Sequence, residues 1–579
     1  MYCMKNMDYF KKVNLISPYG GKLIDLEVKS EQRLLLLEKA KKLSTIKITQ
    51  RSLFDMELLA TGGFSPLDRF MNEDDYLGVV EDMRLSNGIF FPIPITLPVN
   101  INNKNLLDKE VALLNQRNEI VAIMRVENIY RWNLKREVLK VYSDESSSHP
   151  LIAEMQSWGK YNISGKLKVL KLPKYNNFEE YRFTPKILRS ILEKKGYDNI
   201  VSFQTRNPMH RVHEDITKKA INKVNGLLLL QPSIGMTSPH DIDQYTRIRC
   251  YKKLIEKYFD KRRVILHLVP IAMRLAGPKS VLWHAIIRRN YGANHFIVGR
   301  DAASPGKNKF GNPFYEPDEV RHLAEKYQDE IGVKYIFFNE LIYLPDEDRY
   351  EEVDKISAGQ KTLYLSGTRI RESIIKKGET LPEWILRPEI ASILRDTFPP
   401  INKRGFCVWF TGLPCSGKST TGELLVDKLI EYNRRVTLLD GDVIRNLLSY
   451  DLGFSKKDRE TNLLRIAYVA SEVVKHNGVA VACTISPYEL VRNKVRNMVG
   501  NDRFILVYLN TPLRVCEKRD VKGMYAKAKK GEIKHFTGVS DIYEKPKNAD
   551  ITLSSKTYSA EKNTNEIIHY LIKKELIRK

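Results

Sequence analysis

Gly412-Leu413-Pro414-Cys415-Ser416-Gly417-Lys418-Ser419 follows directly on the apolar run Cys407 to Phe410 and leads into a helical pattern from Thr420 to Leu429. A glycine-rich turn between a buried strand and a helix lets backbone N–H groups converge on phosphate oxygens, and the helix N-terminus adds positive potential. Lys418 is then placed to reach β and γ phosphates and Ser419 to hold Mg²⁺, with Gly412, Leu413, Pro414, Cys415, Ser416, Gly417 and Thr420 forming the rest of an ATP-contacting turn. An ordinary glycine turn is the competing reading, and it requires neither the Gly-Lys-Ser ending nor this strand-to-helix context. The C-terminal part of the chain is therefore expected to be an α/β domain.

The same rhythm recurs on both sides. Downstream, Arg435 to Leu439, Val479 to Cys483 and Phe504 to Leu509 read as further strands of a domain over 405–579. Upstream, Phe398-Pro399-Pro400-Ile401-Asn402-Lys403-Arg404 cannot continue a helix, which places a linker at 398–404. Before it, the apolar runs Ile200 to Phe203, Leu227 to Leu230, Val264 to Val269, His295 to Val298 and Tyr335 to Phe338 alternate with helix-length amphipathic stretches. That pattern predicts a parallel sheet with crossover helices over 173–397, carrying a small subdomain from about residue 330. Ligands in such sheets sit beyond the carboxyl ends of the strands. Residues 1–172 read as β-rich, with strands at Pro94 to Val99, Glu110 to Leu114, Glu119 to Arg125 and Glu137 to Tyr142 and a helix near Gln32 to Lys42.

The chain has 579 residues, enough for about three to five units of roughly 100–200 residues each. With 42% hydrophobic and 28% charged residues it is a globular composition, which excludes a mostly disordered, collagenous or membrane-bundle protein. No apolar run approaches the ~20 residues needed to cross a bilayer, and Met1 to Val13 lacks the apolar core and cleavage site of a secretory signal. A soluble, cytoplasmic protein without membrane partners is expected. The six cysteines form no C-x-x-C pair, so reduced thiols are expected rather than a disulfide framework or zinc knuckle. The net charge of +25 suits nucleic acid, anionic lipid or small anionic substrates. Its lysines are spread along the chain and no nucleic-acid reading module is present, so nucleic acid is not expected as a partner.

A second motif follows the first strand of the central sheet: Gln204-Thr205-Arg206-Asn207-Pro208-Met209-His210-Arg211-Val212-His213-Glu214. Proline fits a first helical turn, which would put His210 and His213, three apart, on one helix face at the positive end of its dipole. Two imidazoles there suit an anion. A metal-binding pair, or plain core and surface histidines, are the alternatives.

Beyond the phosphate loop come Asp440-Gly441-Asp442 with Arg445, then Leu452-Gly453-Phe454-Ser455, Asp458-Arg459 and Asn462, then Ile485-Ser486-Pro487-Tyr488, Lys522-Gly523 and Gly531 to Gly538. Across 405–579 this resembles the adenylylsulfate (APS) kinases, a phosphate-loop kinase fold. The resemblance implies transfer of the γ-phosphoryl of ATP to the 3′-hydroxyl of APS, with Lys418 and Asp442 as catalytic residues. Asp442 would bind or deprotonate that hydroxyl, Phe454 and Phe536 would sandwich the adenine, and Arg445, Arg459, Asn462, Ser486 and Lys522 would complete the APS site. Two departures stand out: Pro414-Cys415 replaces smaller residues in the loop, and Glu489 sits where the family often has Arg, a change expected to weaken anion binding.

The histidine segment is similar to the signature of ATP sulfurylase, of the HxxH nucleotidyltransferases. The likeness continues through Gly62 to Leu67, Met273-Arg274-Leu275-Ala276-Gly277-Pro278, Gly299-Arg300-Asp301 and Ser366-Gly367-Thr368 with Arg371. It covers about residues 10–397 and implies a PUA-like N-terminal domain followed by a Rossmann-like catalytic domain. By this resemblance Gln204, Arg206 and the backbone at Ala303 bind sulfate. Gln204, Asn207, His210, His213, Met273 and Arg300 bind ATP, and Arg206, Asn207, His210 and His213 carry the catalysis. One departure matters: the family commonly reads G-R-D-H-A-G where this chain has Gly299-Arg300-Asp301-Ala302-Ala303-Ser304. Together the halves imply a bifunctional, Mg²⁺-dependent enzyme that turns ATP and sulfate into APS and pyrophosphate and then phosphorylates APS, expected to be a homo-oligomer. The rivals are an active sulfurylase whose C-terminal domain only senses the phosphorylated product, and a kinase with a degenerate sulfurylase.

Overall fold

A computed structural model of the chain describes residues 13–100, 104–143, 149–175, 177–235, 242–299, 302–306, 308, 310–365, 369–370, 372–521, 523–533, 535–554, 556 and 558–578. The chain divides into two compact units, Met1–Ser366 with Leu381–Ile393, and Gly367–Thr380 with Leu394–Lys579.

The first unit opens with a mixed five-stranded sheet of β1 (Ser44–Lys47), β2 (Pro98–Val99), β3 (Glu110–Leu114), β4 (Ile120–Arg131) and β5 (Tyr161–Val169), in the order β1-β3-β4-β5-β2. β5 alternates buried Leu167 and Val169 with exposed Lys166 and Lys168, the period of a half-buried strand. The expected strand at Glu137 to Tyr142 is instead helical, a short α-turn at Leu134–Glu137 running into a π-helical turn at Val138–Tyr142. Its burial explains the difference. Glu137, Val138, Val141 and Tyr142 are buried while Leu139 and Lys140 are exposed, a spacing of three and four rather than two. The expected Pro94 to Val99 strand shrinks to two paired residues.

The same unit holds a parallel sheet of β6 (Ile200–Phe203), β7 (Leu227–Leu230), β8 (Val264–Leu266), β9 (His295–Val298) and β10 (Lys334–Phe337), ordered β10-β9-β6-β7-β8. β6, β7 and β9 are buried at every residue, as a sheet covered by helices on both faces requires. An antiparallel hairpin, β11 (Leu341–Leu344) with β12 (Arg349–Glu352), follows. It is fixed to the histidine segment through Arg211, whose guanidinium bonds Asp348 Oδ1 at 2.9 Å.

In the second unit β13 (Phe406–Thr411), β14 (Val436–Asp440), β15 (Val479–Cys483), β16 (Phe504–Leu509) and β17 (Ile551–Leu553) form a parallel sheet ordered β14-β15-β13-β16-β17. The alternation of β13 builds a core on each face. Phe406, Val408 and Phe410 pack with Leu425, Leu429 and Ile567 on one side, while Cys407 and Trp409 pack with Ile466, Ala470 and Val495 on the other. The chain leaves β13 for β14, passing over β15, and later returns to β16 on the other side of β13. The crevice at the carboxyl end of β13 is therefore a topological switch point.

Candidate functional site

In the second unit the phosphate loop leaves the end of β13, and the helix Lys418–Glu431 begins at its close with Gly417 as N-cap. Gly412 has no room for a side chain: a Cβ there would lie 2.8 Å from the Leu509 carbonyl oxygen and 2.9 Å from Ser416 Oγ. Cys415 is held in the left-handed region at φ 57°. Lys418 is buried and folds back on the loop, with Nζ donating to the carbonyls of Gly412 at 3.1 Å and Leu413 at 2.7 Å. Burial lowers its ammonium to about 8. Ser419 Oγ donates to Asp440 Oδ2 at 2.8 Å, and Asp440 Oδ1 accepts from the Asp442 backbone N–H at 3.0 Å. Lys418, Ser419 and Asp442 are thus brought to one strand end, and Asp440, which the sequence reading left without a role, ties two of them together. The signal was present in its own motif, since the first of two aspartates closes β14 and caps the next helix.

The depressed Lys418 gives a testable sign. Above pH 8 the free site holds more and more neutral lysine, whereas bound phosphates favour the ammonium. Nucleotide binding to this unit is therefore expected to take up a proton at pH 8.5 and none at pH 6.5, and to weaken as pH rises through 8. Calorimetry in two buffers of different ionisation enthalpy reads this directly; equal proton uptake at both pH values would contradict it.

Around this centre Arg445 lies 4.4 Å from the Phe454 ring and donates to the Gly453 carbonyl at 2.7 Å. Phe454 is 54% exposed, open to a ligand. Phe536 is buried edge-on against Tyr525, and its loop is tied to the helix Lys456–Lys475 through Arg459, which bonds Thr537 and pairs with Asp541 at 3.4 Å. Asn462, one turn beyond Arg459, is buried and its Oδ1 has no partner. Ser486 is also buried, and its hydroxyl accepts from Trp409 Nε1 at 2.8 Å, a bond that serves the core. Lys522 lies outside the described residues. The Glu489 departure has a structural account: Glu489 pairs with buried Arg492 at 2.5 Å, which also holds the carbonyls of Ser486 and Glu544. Its charge is neutralised inside the protein.

In the first unit the histidine segment leaves the end of β6. The expected helix start at Pro208 does not form; the helix is Arg211–Lys223, with His210 as its N-cap. The Asn207 carbonyl, which would accept the first helical bond, is taken by Tyr251 Oη at 2.7 Å and Thr205 Oγ1 at 3.0 Å. The Arg211 N–H turns instead to the Ile385 carbonyl at 2.9 Å. His210 and His213 therefore share a helix start rather than a helix face, with ring centroids 3.9 Å apart and the His210 N–H donating to His213 Nδ1 at 3.4 Å. Burial holds His210 down to about 4 and His213 well below the ordinary imidazole range, so both are neutral at pH 7. His210 Nδ1 is buried without a partner, an orphan atom that a bound group would satisfy. Among the described residues no group of three His, Cys, Asp or Glu side chains gathers as a metal site.

Gln204 and Arg206 emerge from the same strand end. Gln204 Nε2 reaches Met273 Sδ and His284 Nε2, each at 3.5 Å, and Arg206 donates to the Ser304 carbonyl at 3.1 Å. Ala303, at φ 56°, accepts from the Gly277 N–H at 3.3 Å. Gly277 is required where it stands, because a Cβ there would lie 2.4 Å from the Tyr315 ring. The Met273 stretch is anchored from behind by Arg51 on its carbonyl at 3.0 Å and by Arg274 on Asp55 at 2.6 Å. Gln204, Arg206, Met273 and the Ala303 turn are thus brought to one locus. Arg300, Asp301, Ser366 to Thr368 and Arg371 lie outside the described residues. The sequence reading missed Arg247, which is buried and holds the Arg206 and Ser233 carbonyls, and His284 and Arg288 on the helix Gly277–Asn290. A charged residue inside a helix buried on nearly every side was the available signal.

Comparison with known proteins agrees with both halves. The ATP-sulfurylase family profile matches residues 179–397, the adenylylsulphate kinase profile residues 404–554, and the PUA-like domain profile residues 16–172. A sulfate adenylyltransferase of Aspergillus oryzae is 42% identical over 561 residues, covering 95% of this chain and 97% of its own. One from Coccidioides immitis is 41% identical over 563 residues with the same coverage. Among solved structures, a hexameric APS kinase from Thiobacillus denitrificans matches with a TM-score of 0.77 at 27% identity, over 98% of this chain and all of that one.

Proposed function

The chain belongs to the sulfate adenylyltransferase family and carries both an ATP-sulfurylase and an adenylylsulphate kinase domain, and on that premise we propose that it activates sulfate in two steps at two separate sites. In the first, a sulfate oxygen attacks the α-phosphorus of ATP and pyrophosphate leaves, giving APS. In the second, the APS 3′-hydroxyl takes the γ-phosphoryl of a second ATP, giving 3′-phosphoadenylyl sulfate and ADP. The observation that carries the reading is the intact phosphate loop with its Lys418 and its Ser419–Asp440–Asp442 chain, because a domain that only senses the product has no use for phosphoryl-transfer machinery.

Sulfate is a poor nucleophile, so the first step depends on holding it against the α-phosphorus. Gln204, Arg206 and the backbone amide of Ala303 are assigned to sulfate, and Asn207, His210, His213, Met273 and Arg300 to ATP. The two imidazoles, neutral when the site is empty, offer N–H donors at a helix N-terminus, and approaching phosphate raises their pKa values so that they gain charge as the transition state does. In the kinase Asp442 accepts the hydroxyl proton. Lys418 moves from the loop carbonyls to the phosphates, and Phe454 and Phe536 hold the adenine. Arg445, Arg459, Asn462, Ser486 and Lys522 hold the remainder of APS. Hard oxygen donors at Ser419 and Asp440 fit Mg²⁺, which when bound would neutralise phosphate charge.

Consuming APS removes the product that would otherwise reverse the first step, which is formed uphill. A homo-oligomer in the cytoplasm is part of this reading; a structural relative is hexameric, and no described helix is long and apolar enough to cross a membrane. The kinase and sensor readings separate on one assay: supplied APS and ATP are converted to 3′-phosphoadenylyl sulfate by the full chain. Tight product binding without turnover would favour the sensor.

The Ala302 departure carries its own prediction. Its methyl group sits partly buried against the core, next to the proposed sulfate turn, where the resemblance to the ATP sulfurylases implies an imidazole. Ala302→His is expected to lower the apparent KM for ATP in the first step about tenfold, on the order of 1 to 2 kcal/mol for a charge-assisted hydrogen bond, with kinase kinetics unchanged. An unaltered ATP KM in steady-state assay would show that the loop has no use for the donor.

A further inference from the structure

Arg288 is fully buried in the last turn of the helix Gly277–Asn290. Every other buried arginine among the described residues has a carboxylate or at least two carbonyl oxygens. Arg51 holds Glu154 and the Met273 carbonyl, Arg274 holds Asp55, Arg492 holds Glu489, and Arg247 and Arg434 each hold two or more carbonyls. Among the described residues Arg288 has one partner, the Gln204 side-chain oxygen at 2.5 Å, and its Nε and second terminal nitrogen are buried without any. Among the described residues no carboxylate faces it: His284 lies one turn earlier on the same helix, and His267 and Tyr291 are near enough to feel its charge. An uncompensated buried guanidinium is destabilising, so its position calls for a reason other than folding.

The reason is legible in what Arg288 does to Gln204. By claiming the amide oxygen it fixes the amide orientation, because the flipped amide would set NH₂ against guanidinium. What remains on Gln204 is its NH₂ group, which makes only the two long contacts to Met273 Sδ and His284 Nε2, each at 3.5 Å, that an anion can replace. The neighbouring acceptor, the Ser304 carbonyl, is taken by Arg206. Among the described residues, the Gln204 amide oxygen and the Ser304 carbonyl, the two acceptors beside this guanidinium pair, are thus both engaged by arginine.

Resting on the assignment of Gln204 to sulfate, we propose that Arg288 is the positioning residue that makes the oxyanion pocket donor-only, so that it selects fully deprotonated tetrahedral anions, sulfate or selenate, over hydrogen phosphate. Sulfate carries four acceptor oxygens and no proton at neutral pH. Hydrogen phosphate brings an O–H that finds no acceptor, and an unmet buried donor discriminates by roughly tenfold or more. Arg288 also serves as a buried counter-charge that the arriving dianion satisfies.

The test uses the full chain and its Arg288→Met and Arg288→Lys variants, reading sulfate-dependent pyrophosphate release, the KM values for sulfate and ATP, and the inhibition constant of inorganic phosphate. A melting transition of the first unit close to that of the unaltered chain, together with the retained ATP KM, reports that the sulfurylase unit of each variant is folded. Arg288→Met is expected to raise the sulfate KM at least tenfold, to leave the ATP KM within about twofold, and to narrow the gap between sulfate KM and phosphate inhibition constant by a similar factor. Arg288→Lys, which keeps the charge, should recover part of the loss. Unchanged sulfate KM and phosphate inhibition in both variants, or equal losses for sulfate and ATP without recovery by lysine, overturn the proposal. Absence of sulfate-dependent pyrophosphate release from the unaltered chain would instead sink the sulfurylase reading on which it rests.

Discussion

Lys418→Ala in the full chain is expected to cut formation of 3′-phosphoadenylyl sulfate by at least about 10³-fold while leaving ATP synthesis from APS and pyrophosphate within about twofold of the unaltered chain. Phosphoryl transfer asks the protein for little covalent chemistry, so positioning and charge at the β and γ phosphates carry most of the acceleration. Lys418 is the buried cation of that loop, and its present partners are two backbone carbonyls that it can exchange for phosphate oxygens. The substitution also removes a buried polar head, and the helix it opens keeps Gly417 as its cap, so the fold should survive. Loss of both activities in a folded chain would refute the reading of two independent sites, since the histidine segment belongs to the other compact unit.

His213→Ala is expected to lower sulfurylase turnover by at least about 10²-fold, the scale of losing one positioned transition-state donor. The ring it removes also accepts the His210 N–H, so the helix start loses a cap and about 1 kcal/mol of stability with it. Activity should fall far more than the melting temperature does. His213→Asn keeps a side-chain acceptor at the same helix position and is expected to recover stability without recovering turnover. Kinase activity should not move. A bound transition metal in the purified protein, with turnover lost on its removal, would contradict the anion role and support the metal pair that the spacing alone also allows.

The fold was legible wherever burial runs the whole length of an element. Leu227–Leu230, Val479–Cys483 and Phe504–Leu509 are strands over the residues expected, because runs buried on both faces need no alternation to be recognised. Legibility failed where short-range pattern and tertiary bonding disagreed. Val138 to Tyr142 is rich in β-branched and aromatic residues, yet its burial follows a helical spacing. Pro208 is a sound helix opener by propensity, but Tyr251 and Ile385, distant in sequence, redirect the backbone bonds that would start the helix there. β5 is not among the strands expected from the sequence, although Lys166 and Lys168 alternate with Leu167 and Val169 around a glycine at 165. That glycine is needed where β4 bulges, since a Cβ there would run into the Arg125 carbonyl at 1.8 Å.

The candidate sites divide in the same way. Motif residues with local spacing, such as Lys418, Ser419 and Asp442, gather at one strand end, and so do Gln204, Arg206 and Met273 despite the wide sequence separation of the last. What stayed hidden were residues that act through another residue. Asp440 acts through Ser419 and the Asp442 backbone, and Arg288 lies 84 positions from the amide it holds. No periodicity relates two such positions, because the contact is made by the packing of a helix against the end of β6.

The central claim is that one chain carries sulfate through both chemical steps. Its most direct test supplies radiolabelled sulfate, Mg²⁺, ATP and inorganic pyrophosphatase to the purified full chain and follows the label by chromatography. Label is expected in 3′-phosphoadenylyl sulfate, with one ADP formed for each molecule made and labelled APS in its place when Lys418→Ala is used. Label that remains entirely in sulfate, or stops at APS with the unaltered chain, would contradict it.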